Sequence, residues 1–213
     1  MIRASVIMLI LGNLIPVLGV IHFGWRIFDI IFLFWLENLI IGFYNVLKML
    51  IANPENKVNW FLKIFLIPFF CFHYGMFTAV HGIFVITLFG QGQFTNSGFP
   101  SLNLFINIIS SNNLIWGMLA IFISHGFSFS ANYIASGEYR SISVHELMSK
   151  PYGRIVILHL VILISGFLVM ALKLDFAGLL LLIILKIFFD LKAHIKEHKV
   201  LAKKNQNSQS VLG

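Results

Sequence analysis

Residues 60–89 read WFLKIFLIPFFCFHYGMFTAVHGIFVITLF, and Asn59 opens the run just before Trp60. This stretch, from Asn59 to Phe89, is almost continuously apolar and longer than the core helices of soluble domains. About 20 apolar residues carry an α-helix across the hydrocarbon of a bilayer, so the run spans with residues to spare. His73 and His81 interrupt it in its middle and outer parts. An ionisable side chain at that depth is costly and marks a functional position by default.

The rest of the composition agrees with a membrane setting. Of the 213 residues, 59% are hydrophobic, 23 are Phe and only 11% are charged. A water-soluble globule carries roughly 25% charged residues, so this chain lacks the polar surface to cover one. The single cysteine, Cys71, excludes an intrachain disulfide. No Gly-rich phosphate loop, Cys cluster or nucleophilic Ser elbow is present, and the basic residues form no stripe suited to nucleic acid.

Working outward, six spans are expected, which makes the fold class an all-α polytopic membrane bundle. They are Ser5–Ile21, Ile27–Leu50, Trp60–Phe89, Asn113–Ala135, Tyr152–Leu172 and a last run from Phe176 past Asp190 toward Leu201. The first has Arg3 before it, as a signal peptide would. Its apolar run is long for one and lacks a small-x-small cleavage site, so it reads as a retained span. Trp25 falls at an interface, and Leu102–Ser110 reads as a short interfacial helix. An amphipathic piece at Ser143–Ser149 is expected to end at Pro151, because proline breaks the helical hydrogen-bond ladder. Residues 1–201 form the transmembrane domain, and 202–213 a polar, disordered tail.

Lysine and arginine placement orients the bundle. Arg3, the Lys48/Lys57/Lys63 group, the Arg140/Lys150/Arg154 group and the Lys192–Lys204 tail fall on alternate connections. The opposite side holds Arg26 and Lys173, and the long 90–112 connection has no charge. Both termini are therefore expected on the cytoplasmic side, beside anionic lipid.

Several polar groups then lie deep in the spans. Glu37 sits about ten residues into the second span, either as a metal ligand or proton carrier or as a protonated carboxyl bonded between helices. Asn38 beside it suits an interhelical hydrogen bond. His73 and His81 are about 12 Å apart along the axis and about 80° around it, too far to share one small ion. His125, Ser128 and Asn132 form a polar stripe on the fourth span, compatible with helix packing or a lined cavity. His159 lies in the fifth. Asp190, His194 and His198 recur at i, i+4 and i+8, the helical spacing that chelates a metal from one side. Asp190 has Lys186 at i−4 as a plain ion-pair partner, and His198, His22 and His145 read as solvated. Alternating span directions put His73, His159, Asp190 and His194 in the middle-to-cytoplasmic half, with Glu37 and His125 near mid-depth.

Trp35, Glu37 and Asn38, the run Phe72-His73-Tyr74-Gly75, the run Pro151-Tyr152-Gly153-Arg154 with His159, and Asp190 with His194 form a pattern. It resembles an uncharacterised family of bacterial six-helix integral membrane proteins, known by a domain-of-unknown-function label. The resemblance implies a membrane fold in the bacterial inner membrane and no known activity. There is a looser similarity to seven-helix membrane hydrolases that hold zinc with intramembrane histidines and an aspartate.

The expectation is an integral membrane metalloprotein with His73, His159, Asp190 and His194 as ligands to zinc or iron, since imidazole and carboxylate suit those ions. Glu37 is then a further ligand or the general base for a metal-bound water. The substrate is a lipid or other hydrophobic molecule arriving laterally from the bilayer, and the reaction a hydrolysis or an oxidoreduction. One alternative is a haem b electron-transfer protein using His73, His81, His125 and His159. Others are a proton or ion transporter built on the same groups, and a purely structural bundle.

Overall fold

The computed structural model describes Pro16, residues 18–52, 57–90 and 102–172, and Ile184, and these form helices joined by short turns, with no strand among them. The expected all-α class holds. A helical segment at 18–23 turns at Gly24, whose φ of +65° favours glycine, into α1 (Ile27–Ile51). Then come α2 (Lys57–Phe89) and α3 (Leu102–Ser111). α4 (Leu114–Ser128) runs on into a π-helical segment, Phe129–Ala135, and α5 (Val144–Leu172) follows a 3-10 turn at Glu138–Arg140. Among the described residues three helices, against the six spans expected, are long and apolar enough to cross a membrane: Ile27–Ile51, Trp60–Phe89 and Leu114–Ala135. Most of the expected first span lies outside the described residues. So does the last one, apart from Ile184, and with it Asp190, His194, Lys186 and His198.

α1 is the hub, packing on α2, α4 and α5. Its start is tied down by one carboxylate. Asp29 Oδ2 accepts the Arg26 backbone N–H at 2.8 Å, and Asp29 Oδ1 accepts Asn112 Nδ2–H at 2.6 Å. A negative charge in the first turn also meets the positive end of the helix dipole. Trp25 Nε1–H donates to the Asn112 carbonyl at 3.0 Å. Trp25 is buried, 4% exposed. The other end of α1 is capped by Lys63 of α2, whose ammonium donates to the carbonyls of Leu50 and Ala52 and lies 4.1 Å from the Trp60 ring centroid. This lysine, counted among the juxtamembrane charges, is committed to orphan carbonyls at a helix end.

The helices are held together by a repeated device. Trp35 Nε1–H donates to the Thr78 carbonyl at 2.7 Å, Tyr74 O–H to the Asn38 carbonyl at 2.9 Å, and Tyr44 O–H to the Phe122 carbonyl at 3.1 Å. Four residues after each acceptor stands a glycine: Gly82, Gly42 and Gly126. A helical side chain leans toward the N-terminus and covers the turn before it, so a missing Cβ at i+4 uncovers the carbonyl at i. A Cβ on those glycines would come within 2.7, 2.6 and 2.6 Å of the same three aromatic side chains. Each aromatic thus fills its glycine's notch and bonds the carbonyl beneath. Interhelical hydrogen bonds of this kind contribute on the order of 0.6 kcal/mol each in lipid, and close backbone approach adds dispersion.

α5 departs from expectation. Instead of stopping at Pro151, it runs unbroken from Val144 to Leu172 with Pro151 inside. Proline lacks the N–H that would serve the carbonyl of residue 147. Asn45 of α1 supplies the missing donor: its Nδ2–H reaches the Leu147 carbonyl at 2.9 Å in a buried setting. With that carbonyl satisfied, the helix continues through the break.

Candidate functional site

Four helix histidines, His73, His81, His125 and His159, fall into three pairs, each joining two helices. α2 and α5 run in parallel. His73 and His81 are eight residues apart, and Tyr152 and His159 seven, so both pairs come level at 1.5 Å rise per residue. His73 Nδ1 lies 2.8 Å from Tyr152 Oη, and His81 Nε2 lies 2.6 Å from His159 Nδ1. The third pair joins α1 to α4, with His125 Nε2 3.6 Å from Glu37 Oε1.

The His81–His159 pair is the most defined of the three. A backbone carbonyl can only accept, so the 2.8 Å contact between His81 Nδ1 and the Phe77 carbonyl places a proton on Nδ1. In the neutral ring the lone pair then sits on Nε2, aimed at His159. His159 Nδ1–H donates to it, which leaves the His159 lone pair on Nε2. The His81 ring is buried at 4% exposure, packed 4.4 Å from Phe77 and edge-on to Phe84 at 6.5 Å. His159 is half-buried. His81 is thus held through one nitrogen by a backbone carbonyl and presents the other to His159.

His73 is set differently. Its exposed ring stacks on Phe69, with centroids 5.3 Å apart and planes 10° apart, and Tyr152 hydrogen-bonds it from α5. Tyr152 packs edge-on against Phe70 and Tyr74.

In the third pair, the imidazole of His125 lies against the Tyr44 ring at 6.4 Å, and the Glu37 and His125 side chains are 15% and 25% exposed. Along α4 the polar face continues through Ser128 and Asn132 to Ser136: Asn132 Nδ2–H donates to Ser128 Oγ at 3.1 Å, and the Ser136 hydroxyl to the Asn132 carbonyl.

The expected site residues are therefore divided. His73 and His159 do not meet each other; each has its own partner, Tyr152 and His81 respectively. Glu37 faces His125 of α4, a different helix pair from the His81–His159 contact. Asp190 and His194 lie outside the described residues. Among the described residues no group of three or more His, Cys, Asp or Glu is gathered as a metal cluster. Sequence places His81 in the outer part of its span and His159 in the cytoplasmic half of its own, yet the two are in contact. The matching spacings of eight and seven on two parallel helices were the available signal.

Neither the curated proteins nor the solved structures contain a match to this sequence. A family model, described as a family of unknown function (DUF6498), matches residues 1–207, and the chain belongs to that family.

Proposed function

We propose an integral membrane metalloprotein that crosses the bacterial inner membrane six times with both termini cytoplasmic. Its metal centre is seeded by His81 and His159 in the α2–α5 seam. The supporting observation is the 2.6 Å approach of His81 Nε2 to His159 Nδ1, with the far nitrogen of His81 anchored on the Phe77 carbonyl. Two nitrogens on one tetrahedral zinc stand about 3.3 Å apart at Zn–N distances of about 2.0–2.1 Å, so the rings need part by less than an ångström. A zinc or iron ion taking the lone pairs of His81 Nε2 and His159 Nδ1 would require the His159 proton to move to its Nε2, with both imidazoles staying neutral, so uptake competes with protons wherever either ring is protonated. Asp190 and His194, at i and i+4 in the last apolar run, are the further ligands in this reading. A hydrophobic substrate such as a lipid would approach from the half-exposed His159 side, with the reaction a metal-assisted hydrolysis or oxidoreduction.

A second reading is a proton relay along the same seam, favoured by the His73–Tyr152 pair about 12 Å from His81 along α2. Haem b is less well supported, since a porphyrin between His81 and His159 must separate rings that are in direct contact.

Elemental analysis of the detergent-purified protein separates these readings. Stoichiometric zinc or iron in the wild type, lost in His81→Ala and His159→Ala, supports the metal centre. Protein that stays metal-free after incubation with both ions removes it, and a Soret band would restore haem.

A further inference from the structure

We propose that Glu37 and His125 form a proton-binding site reached by water from one end of the bundle along α4. The inference uses the bilayer placement of these helices and is independent of the metal reading. Most of the exposed surface of α4 and its π extension is apolar, with Trp116, Leu119, Phe122, Ile123 and Phe127 facing outward, and Ser130 is a polar residue exposed off the stripe. Ser128, Asn132 and Ser136 are exposed as well, and with His125 they recur at steps of three, four and four, which is one helix face.

Polar side chains facing hydrocarbon are unfavourable, and in membrane proteins they line protein contacts or water-filled cavities. Internal bonding does not exhaust this stripe. Asn132 has two donors and a carbonyl acceptor, and its contacts among the described residues are one N–H to Ser128 and its backbone carbonyl to Ser136. The stripe runs through the π-helical segment Phe129–Ala135, a geometry that widens the helix and occurs frequently at functional sites. It ends at the turn carrying Glu138 and Arg140.

At its inner end is a carboxylate 3.6 Å from an imidazole, close enough for one proton to bridge the two groups. Tyr44 of α1 stands beside the imidazole but donates its hydroxyl to the Phe122 carbonyl, so it buttresses the ring rather than competing for the proton. On the other helices packed against α1, the histidines of α2 and α5 are directed at each other or at Tyr152.

The test uses the full chain in lipid nanodiscs, where both faces meet the bath, with Cys71→Ala removing the one native thiol. Ser128→Cys, Asn132→Cys and Ser136→Cys should react with a charged thiol reagent at least tenfold faster than Ile123→Cys and Phe127→Cys. Equal rates would overturn the water path. In the Cys71→Ala protein, infrared difference spectra on acidifying the bath should show a carboxylic C=O band that Glu37→Gln abolishes. Asn132→Leu should slow its appearance. A spectrum unchanged by Glu37→Gln would overturn the proton site. Metal content of the wild type and of His81→Ala reports separately on the His81–His159 centre.

Discussion

Asn45 donates its side-chain amide to the carbonyl of Leu147, the one backbone acceptor that Pro151 leaves unserved four residues further along α5. A proline that reads as a stop in one helix is repaired by an asparagine from another. The contact is buried, so no water can substitute for it.

Asn45→Ala should therefore destabilise the protein by about 1–3 kcal/mol, the usual penalty for a buried orphan acceptor. Pro151→Ala restores a backbone N–H to that carbonyl, so the double variant should recover most of the loss. Denaturant or steric-trap unfolding of the two single variants and the double variant measures the coupling. Simple additivity would mean that Asn45 acts elsewhere.

The aromatic-in-notch contacts make a second prediction. Gly82→Val places side-chain atoms where the Trp35 indole lies, and Gly42→Val does the same to the Tyr74 ring. Both should lower thermal stability, by about 1–3 kcal/mol as overpacking typically does. Trp35→Leu combined with Gly82→Val should be milder than the two losses summed, because the clash is then absent. Melting of the four proteins in one detergent decides it.

Lys63 is held by two carbonyls at the end of α1. Lys63→Met keeps the length and removes the charge, leaving those acceptors bare. A loss of about 1–3 kcal/mol is expected, with faster amide exchange in the last turn of α1. If exchange there is unaltered, the lysine is not the cap.

Metal binding offers the sharpest functional check. His81→Ala and His159→Ala should each weaken zinc uptake at least tenfold, whereas His73→Ala should leave it within a few-fold, because His73 is bonded to Tyr152. Uptake should also fall as pH drops through the ordinary histidine range, since protonated imidazole has no lone pair to give. Titration calorimetry on the four proteins at two pH values tests both statements. Equal loss from His73→Ala would restore the wider ligand set.

Much of the architecture could be read from the chain alone. Long apolar runs must be helices wherever water is absent, because only a helix satisfies its own backbone. The bounds expected for the second, third and fourth spans and the short Leu102–Ser110 helix match α1, α2, α4 with its π extension, and α3. Sequence likewise marked Glu37, His73, His125 and His159 as out of place in oil. Their partners were not legible, since hydropathy gives the length of a helix but not the direction in which each face points. Only packing set His159 against His81 rather than His73, turned Glu37 toward His125, and joined Asn45 to the gap at Pro151. Those pairings depend on helix rotation and vertical register. Both are controlled by glycine notches under Trp35, Tyr44 and Tyr74, whose effect appears only when two helices meet.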